Sequence, residues 1–99
     1  MFKLKEMATA RSGDKGNDVN IGVIAKDAQA YALLESFLTE EVVKSYFVKP
    51  SKVIRYALPN LLAFNFILKD VLDGGGSLSL RMDSQGKAYG QALLEMTWN

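Results

Sequence analysis

The residues best able to do chemistry crowd into one short stretch. Arg11 to Asn20 reads R-S-G-D-K-G-N-D-V-N, gathering two cations, two carboxylates, a hydroxyl and two side-chain amides around Gly13 and Gly16. The glycines free the backbone to turn its N–H groups outward, and such a nest beside Lys15 suits an anion, a phosphate or a carboxylate. The competing reading is a solvated polar loop whose Asp and Asn side chains bond their own backbone. Composition alone weighs the two about equally.

Several mechanisms fall away at once. A Walker A loop needs G-x-x-x-x-G-K-[ST], and Gly13 to Gly16 is too short for it. Ser12-Gly13-Asp14-Lys15 matches the S-x-x-K of Ser–Lys hydrolases, but its glycines sit where a helix is needed and the companion motifs are missing. Asp14 and Asp18 could offer oxygens to Mg²⁺ or Ca²⁺, yet two carboxylates at this spacing favour turn roles over a metal site. The chain has no His and no Cys. Acid–base chemistry therefore falls to Asp, Glu, Lys or Tyr, and triads of the Ser-His-Asp or Cys-His kind are excluded.

Outside that stretch, Asn65 interrupts an apolar run and needs hydrogen-bond partners if buried. It reads either as a core amide tying its element to a neighbouring loop or, with Asn60, as part of a polar pocket completed by the Arg11–Asn20 loop. Arg55 stands in a strand-like segment as an open-face charge or an anion hook, the former being the default. Gly74-Gly75-Gly76 suits a chain reversal.

The elements that must position these groups follow from periodicity. Phe2 to Ala8 alternates as a strand, and Asp18 to Lys26 resumes the alternation with Val19, Ile21 and Val23 on one face. Arg11 to Asn17 is the loop between them. Asp27 caps a helix with Ala30, Tyr31, Leu34, Phe37 and Leu38 at helical spacing; Thr39 caps a second, with Glu40 and Glu41 in its first turn. Lys52 to Leu58 is a third strand. The run from Leu61 to Leu68 is apolar almost all round and reads as a deeply packed helix ending near Leu72. Ser77 to Met82 makes a fourth strand, Asp83 to Gly86 a turn, and Ala88 to Met96 a last helix. The order β-β-α-α-β-α-β-α gives an α+β class: a two-layer sandwich, a four-stranded mixed sheet with helices mainly on one face and right-handed parallel crossovers.

Composition bounds the rest. Ninety-nine residues make one domain, residues 1–99, small for a self-contained enzyme. A net charge of +1 gives no reason to expect a nucleic-acid partner. The absence of Cys excludes disulfides and thiolate metal sites and is compatible with the cytoplasm. No signal-peptide pattern or membrane-spanning run is present, so no membrane partner is expected.

Four separated blocks, A-R-S-G-D-K-G-N-D-V-N-I-G-V-I-A, V-I-R-Y-A-L-P-N-L-L-A-F-N-F-I-L, G-G-G-S-L-S-L-R-M-D and G-K-A-Y-G-Q-A-L-L, together resemble the AtuA-like domain of ferredoxin-like fold. That domain forms the C-terminal part of the acyclic terpene utilisation protein A family. The resemblance covers nearly the whole chain and implies a free-standing small subunit whose partner is a larger AtuA N-terminal-type protein. It further implies catabolism of acyclic terpene-derived or other branched acids, largely as acyl-CoA esters, with a CoA ester as ligand and no other cofactor or metal. It puts weight on Arg11, Ser12, Asp14, Lys15, Asn17, Asn20, Asn60 and Asn65 as ligand-binding residues, catalytic residues being unassigned. An accessory or ligand-binding subunit of a two-component enzyme is the favoured reading. A non-catalytic oligomerisation module is the alternative, with Trp98 and the apolar content suiting a homo-oligomer, and a small stand-alone enzyme comes third. The order read here departs from a simple β-α-β-β-α-β pattern.

Overall fold

Two-residue alternation lays down most of the architecture. The computed structural model describes residues 2–71 and 85–98. In it β1 (Phe2–Lys3) leads through a 3₁₀ turn at Leu4–Glu6 into β2 (Ala8–Lys15) and β3 (Asp18–Ala25). Helices α1 (Ala28–Phe37) and α2 (Glu40–Phe47) follow, then β4 (Lys52–Leu58), a 3₁₀ turn at Pro59–Leu61, β5 (Ala63–Lys69), α3 (Gln85–Leu94) and β6 (Thr97–Trp98). Four strands form one sheet in the order β2-β3-β5-β4, and every pair in it is antiparallel. β1 and β6 pair separately, joining the two ends of the chain. Among the described residues no helix is long and apolar enough to cross a membrane.

Among the described residues, the core lies between one sheet face and helices α1, α2 and α3. Val19, Ile21 and Val23 of β3 stand directly opposite Leu68, Phe66 and Phe64 of β5, and all six are fully buried. Tyr31 and Leu34 of α1, Val43 of α2 and Leu93 of α3 close over them. The Tyr31 ring stacks on Phe64 with centroids 4.6 Å apart. Both expected N-caps form: Asp27 accepts from the Ala30 N–H at 2.8 Å and Thr39 from the Val42 N–H at 3.2 Å. Each such cap contributes on the order of 1 kcal/mol. The α+β class, the two layers, the four-stranded sheet and the placing of helices on one face are as the sequence predicted.

Several expectations inside that frame are corrected. The strand expected over Phe2–Ala8 stops at Lys3, gives way to the 3₁₀ turn Leu4–Glu6, and β2 begins only at Ala8. The run read as a buried helix is strand β5: its fully buried Phe64, Phe66 and Leu68 point one way and Ala63, Asn65 and Ile67 the other. Ala63 and Ile67 on the open face add apolar residues out of step with the buried set, which imitates a helix apolar nearly all round. That strand also explains why the sheet is antiparallel and not mixed. The crossover β3-α1-α2-β4 does run parallel, but β5 inserts between β3 and β4 and opposes both. Finally, Arg11 to Asn17 is not a loop. β2 continues to Lys15, which pairs with Asp18, leaving only Gly16-Asn17 as the turn. Gly16 has φ 65° at the first turn position, as a tight hairpin of the II′ kind requires. The last helix begins at Gln85, earlier than expected. The strand expected over Ser77–Met82, the Gly74–Gly76 reversal and the start of the turn at Asp83 lie outside the described residues.

Trp98 is half-buried, stacked on Phe37 at 4.2 Å and on Phe2 at 5.9 Å. These contacts engage within the chain the side chain expected to suit an assembly surface.

Candidate functional site

The sheet face opposite the helices carries the unusual chemistry, and strand register arranges it in rows. Arg11, Gly22, Asn65 and Tyr56 are successive partners across β2, β3, β5 and β4. On one side of this row lies Thr9-Ile24-Ala63-Leu58, and on the other Gly13-Asn20-Ile67-Ile54. A fourth row, Lys15-Asp18-Lys69-Lys52, ends the face at the Gly16–Asn17 turn.

Gly22 makes the gap in the second row. A Cβ built on it would meet nothing within 4 Å. With strands about 4.8 Å apart, Arg11 and Asn65 flank an opening whose backbones stand roughly 10 Å from each other. The result is a depression of about 520 Å³ bordered by Arg11, Gly22, Asn65, Ile24 and Leu58. One end is polar and the other apolar: Ile24 is 53% exposed and Leu58 40% exposed, an arrangement that folding alone does not reward.

Hydrogen bonding orients the polar end. The Asn20 Nδ2 donates to Asn65 Oδ1 at 2.7 Å. That bond occupies one donor of Asn20 and the carbonyl of Asn65, so Asn65 presents its NH₂ to the face. Among the described residues nothing takes up the exposed Arg11 guanidinium. Arg11 and Asn65 are thus two donors on either side of an open glycine, a pattern suited to a carboxylate or a polarised carbonyl oxygen. The amides of Asn20 and Asn65 can hold a ligand through hydrogen bonds.

The fourth row is cationic. Lys69 Nζ lies 2.9 Å from Asp18 Oδ2. The Asp70 N–H donates to Asp18 Oδ1 at 2.9 Å, and this bond together with the one from Lys69 holds the Asp18 carboxyl below its ordinary value. Lys69 is raised in turn, chiefly by its bond to Asp18. With Lys69 neutralised, Lys15 and Lys52 carry the free charge of that end.

The predicted residues divide between the faces. Arg11 and Asn65 border the depression, and Asn20 is tied to it through its bond to Asn65. Lys15 shares their face at its far end, and Asn17 is in the turn. Ser12 points the other way, accepting from the Gly90 N–H of α3 at 2.7 Å. A Cβ on Gly90 would come within 2.9 Å of Ser12 Oγ and 3.2 Å of the Arg11 backbone carbon, so Gly90 is what lets α3 lie against β2. Asp14 also belongs to the helix-side register, opposite Val19, and so does not converge with Asp18. Ser12 and Lys15 stand on opposite faces, which removes the Ser–Lys pairing. The backbone nest is likewise absent, because the segment is an extended ladder. Asn60 is exposed in the 3₁₀ turn at the other end of the sheet from Gly16–Asn17, so it does not approach that segment, whereas Asn65 does.

Arg55 is neither an open-face charge nor an anion hook. It lies on the helix side, where its Nη1 donates to the Glu35 and Leu38 carbonyls at 2.9 and 2.8 Å at the end of α1. Its guanidinium sits 5.0 Å from the centre of the Phe64 ring. Two site members escaped the sequence reading, Gly22 and Tyr56. A glycine inside the alternating run N-I-G-V-I was the available signal, since such a residue often marks a close approach. Tyr56, 52% exposed, follows from Arg55 by alternation once the face of Arg55 is known.

The family model of the AtuA ferredoxin-like domain matches residues 2–99. The chain belongs to that family. No curated protein and no solved structure matches it.

Proposed function

We propose, with that membership as the premise, that the protein is an accessory, ligand-binding subunit of a two-component catabolic enzyme for acyclic terpene-derived or other branched acids. The observation that carries this reading is the row Arg11-Gly22-Asn65-Tyr56 beside the apolar row Ile24-Ala63-Leu58. A carboxyl or thioester oxygen placed over Gly22 meets the Arg11 guanidinium and the Asn65 NH₂. The branched chain then runs over Ile24 and Leu58. Each hydrogen bond to a charged partner is worth about 1.5–3 kcal/mol. Burial of the alkyl chain adds roughly 0.8 kcal/mol per methylene. The row offers hydrogen-bond donors beside an apolar strip, which supports a holding role with the reaction supplied by a larger AtuA N-terminal-type partner in the cytoplasm.

Titration calorimetry with 3,7-dimethyloctanoic acid and with its CoA thioester tests the binding part. Arg11→Ala is expected to weaken both by about tenfold or more, in line with the loss of one charged hydrogen bond, without changing the fold. Equal affinity of Arg11→Ala and the unaltered chain, or no binding of either compound, would sink the reading. The exposed apolar residues Ile24, Tyr56, Leu58 and Leu61 favour a second reading, a homo-oligomer formed through this face. Sedimentation of the chain alone and with the larger protein separates the two.

A further inference from the structure

The apolar end of the open face is not flat. In the row Thr9-Ile24-Ala63-Leu58 a small residue stands between two large ones. Ala63 is only 6% exposed and yet is no member of the core cluster, so what covers it is the open-face row itself. Ile24 and Leu58, both exposed, rise on either side. With strands about 4.8 Å apart, their backbones stand roughly 10 Å from each other, and Ala63 floors a notch between them. All three residues line the same depression as Gly22 and Asn65. We propose that Ala63 determines specificity at the carboxyl site of the preceding section, on which this inference rests: the notch accepts a methyl branch at one position along a carboxylic acid and at no other.

Strand register turns the notch into a ruler. Gly22 pairs with Asn65 and Ile24 with Ala63, so Gly22 and Ala63 are diagonal neighbours on β3 and β5. Diagonal neighbours lie about 7–8 Å apart. An extended peptide covers about 3.5 Å in three backbone bonds, or roughly 1.2 Å per bond, and a saturated carbon chain has nearly the same pitch. From a carboxyl carbon over Gly22, about six bonds reach Ala63, which seats roughly the seventh carbon in the notch. A methyl branch there widens the chain and meets Ile24 on one side and Leu58 on the other. A branch at C3 or C5 falls short of the notch, with Ile24 on one side and the polar Asn65 amide on the other.

The test titrates the chain with octanoic acid and with its 3-, 5- and 7-methyl derivatives, read by amide chemical shifts. The 7-methyl acid is expected to bind about fourfold more tightly than octanoic acid, the worth of one buried methyl group. The 3- and 5-methyl acids stay within about twofold of octanoic acid, since their branches remain largely in water. Ala63→Val fills the notch and Leu58→Ala removes one wall; each brings the 7-methyl acid to the affinity of octanoic acid. The two changes act in opposite senses, so if one variant fails to fold the other decides. Arg11→Ala weakens all four acids alike, because it acts on the carboxyl end. Equal affinities for the four acids, an optimum at C3 or C5, or a 7-methyl preference that survives in either folded variant would overturn the role of Ala63 and leave the carboxyl site standing. Binding of none of the four acids overturns both together.

Discussion

Filling the depression at Gly22 should raise stability and lower affinity, an opposition that few other substitutions in this chain can produce. Gly22 sits mid-strand in β3, has no left-handed φ, and would place a Cβ in open space. In Gly22→Val the new Cβ enters open space, and removing a strand-interior glycine gains about 0.5–1 kcal/mol from backbone entropy. For a chain of this size that corresponds to a rise in Tm of roughly 2–8 °C. The isopropyl group, however, stands between Arg11 and Asn65, where the ligand oxygen would lie. Hydrogen bonds need heavy atoms within about 3.2 Å, and lifting the oxygen by one layer of carbon breaks at least one. That loss costs about 1.5–3 kcal/mol, a ten- to hundredfold fall in affinity. Scanning calorimetry of the free chain and titration with 3,7-dimethyloctanoyl-CoA read the two quantities separately. A Tm that falls would refute the argument about open space. An unchanged affinity would refute the placing of the ligand over Gly22.

Other outcomes follow from contacts on the helix side and at the cationic end. Arg55→Ala removes two bonds to the carbonyls at the end of α1 and the contact with Phe64; a loss of about 2–3 kcal/mol is expected by urea unfolding, and a change within 0.5 kcal/mol would show that these carbonyls are satisfied otherwise. Gly90→Ala, although alanine is the better helix former, should destabilise by about 1–3 kcal/mol through overpacking against β2, and by less when introduced into Ser12→Ala, because the nearest clash at 2.9 Å is with Ser12 Oγ. The folded pKa of Asp18 is held below its ordinary value of 3.8 first by the Asp70 N–H and then by Lys69. Its stabilising contribution is therefore complete above that ordinary value and is lost as pH falls through the lower folded one. Asp18→Asn should flatten the acid limb of a stability–pH curve below pH about 4; a curve with the same slope would remove Asp18 from the account.

How far the sequence could be read depended on how many faces of each element are buried. β3 has one buried and one open face, so Val19, Ile21 and Val23 announced both the strand and its inward side. β5 lies between two strands and carries apolar Ala63 and Ile67 on its open face beside Asn65. Its Phe64-Asn65-Phe66 alternation was outweighed by Leu61, Leu62 and Ala63 beside it, though Leu61 is 67% exposed and belongs to a turn. The Arg11–Asn20 segment misled for the opposite reason. Its polar and glycine-rich composition is that of a loop, but two long strands can carry such residues when one face is open and the other meets a helix. Asn20 and Asn65 were each visible as unusual; their 2.7 Å bond was not, because it depends on a register that only β5 establishes.

That register divides the string of polar residues into two alternating tasks. Along β2, Ala10, Ser12 and Asp14 face the helix layer, and Arg11, Gly13 and Lys15 face the open side. Neighbours in sequence therefore answer to different constraints. Ser12 joins β2 to α3; Arg11, one residue earlier, makes no such bond and stands on the face proposed for the ligand. The same alternation appears in β5, where Phe64 and Phe66 build the core and Asn65 between them turns its amide to Asn20. A family motif in this chain is thus one strand read twice, with a period of two. The open face lies only one strand thickness from α3 and the core. A ligand seated over Gly22 would consequently rest on the backbone that Ile21 and Val23 anchor from beneath, which gives Arg11 and Asn65 fixed positions on strands and not on a mobile loop.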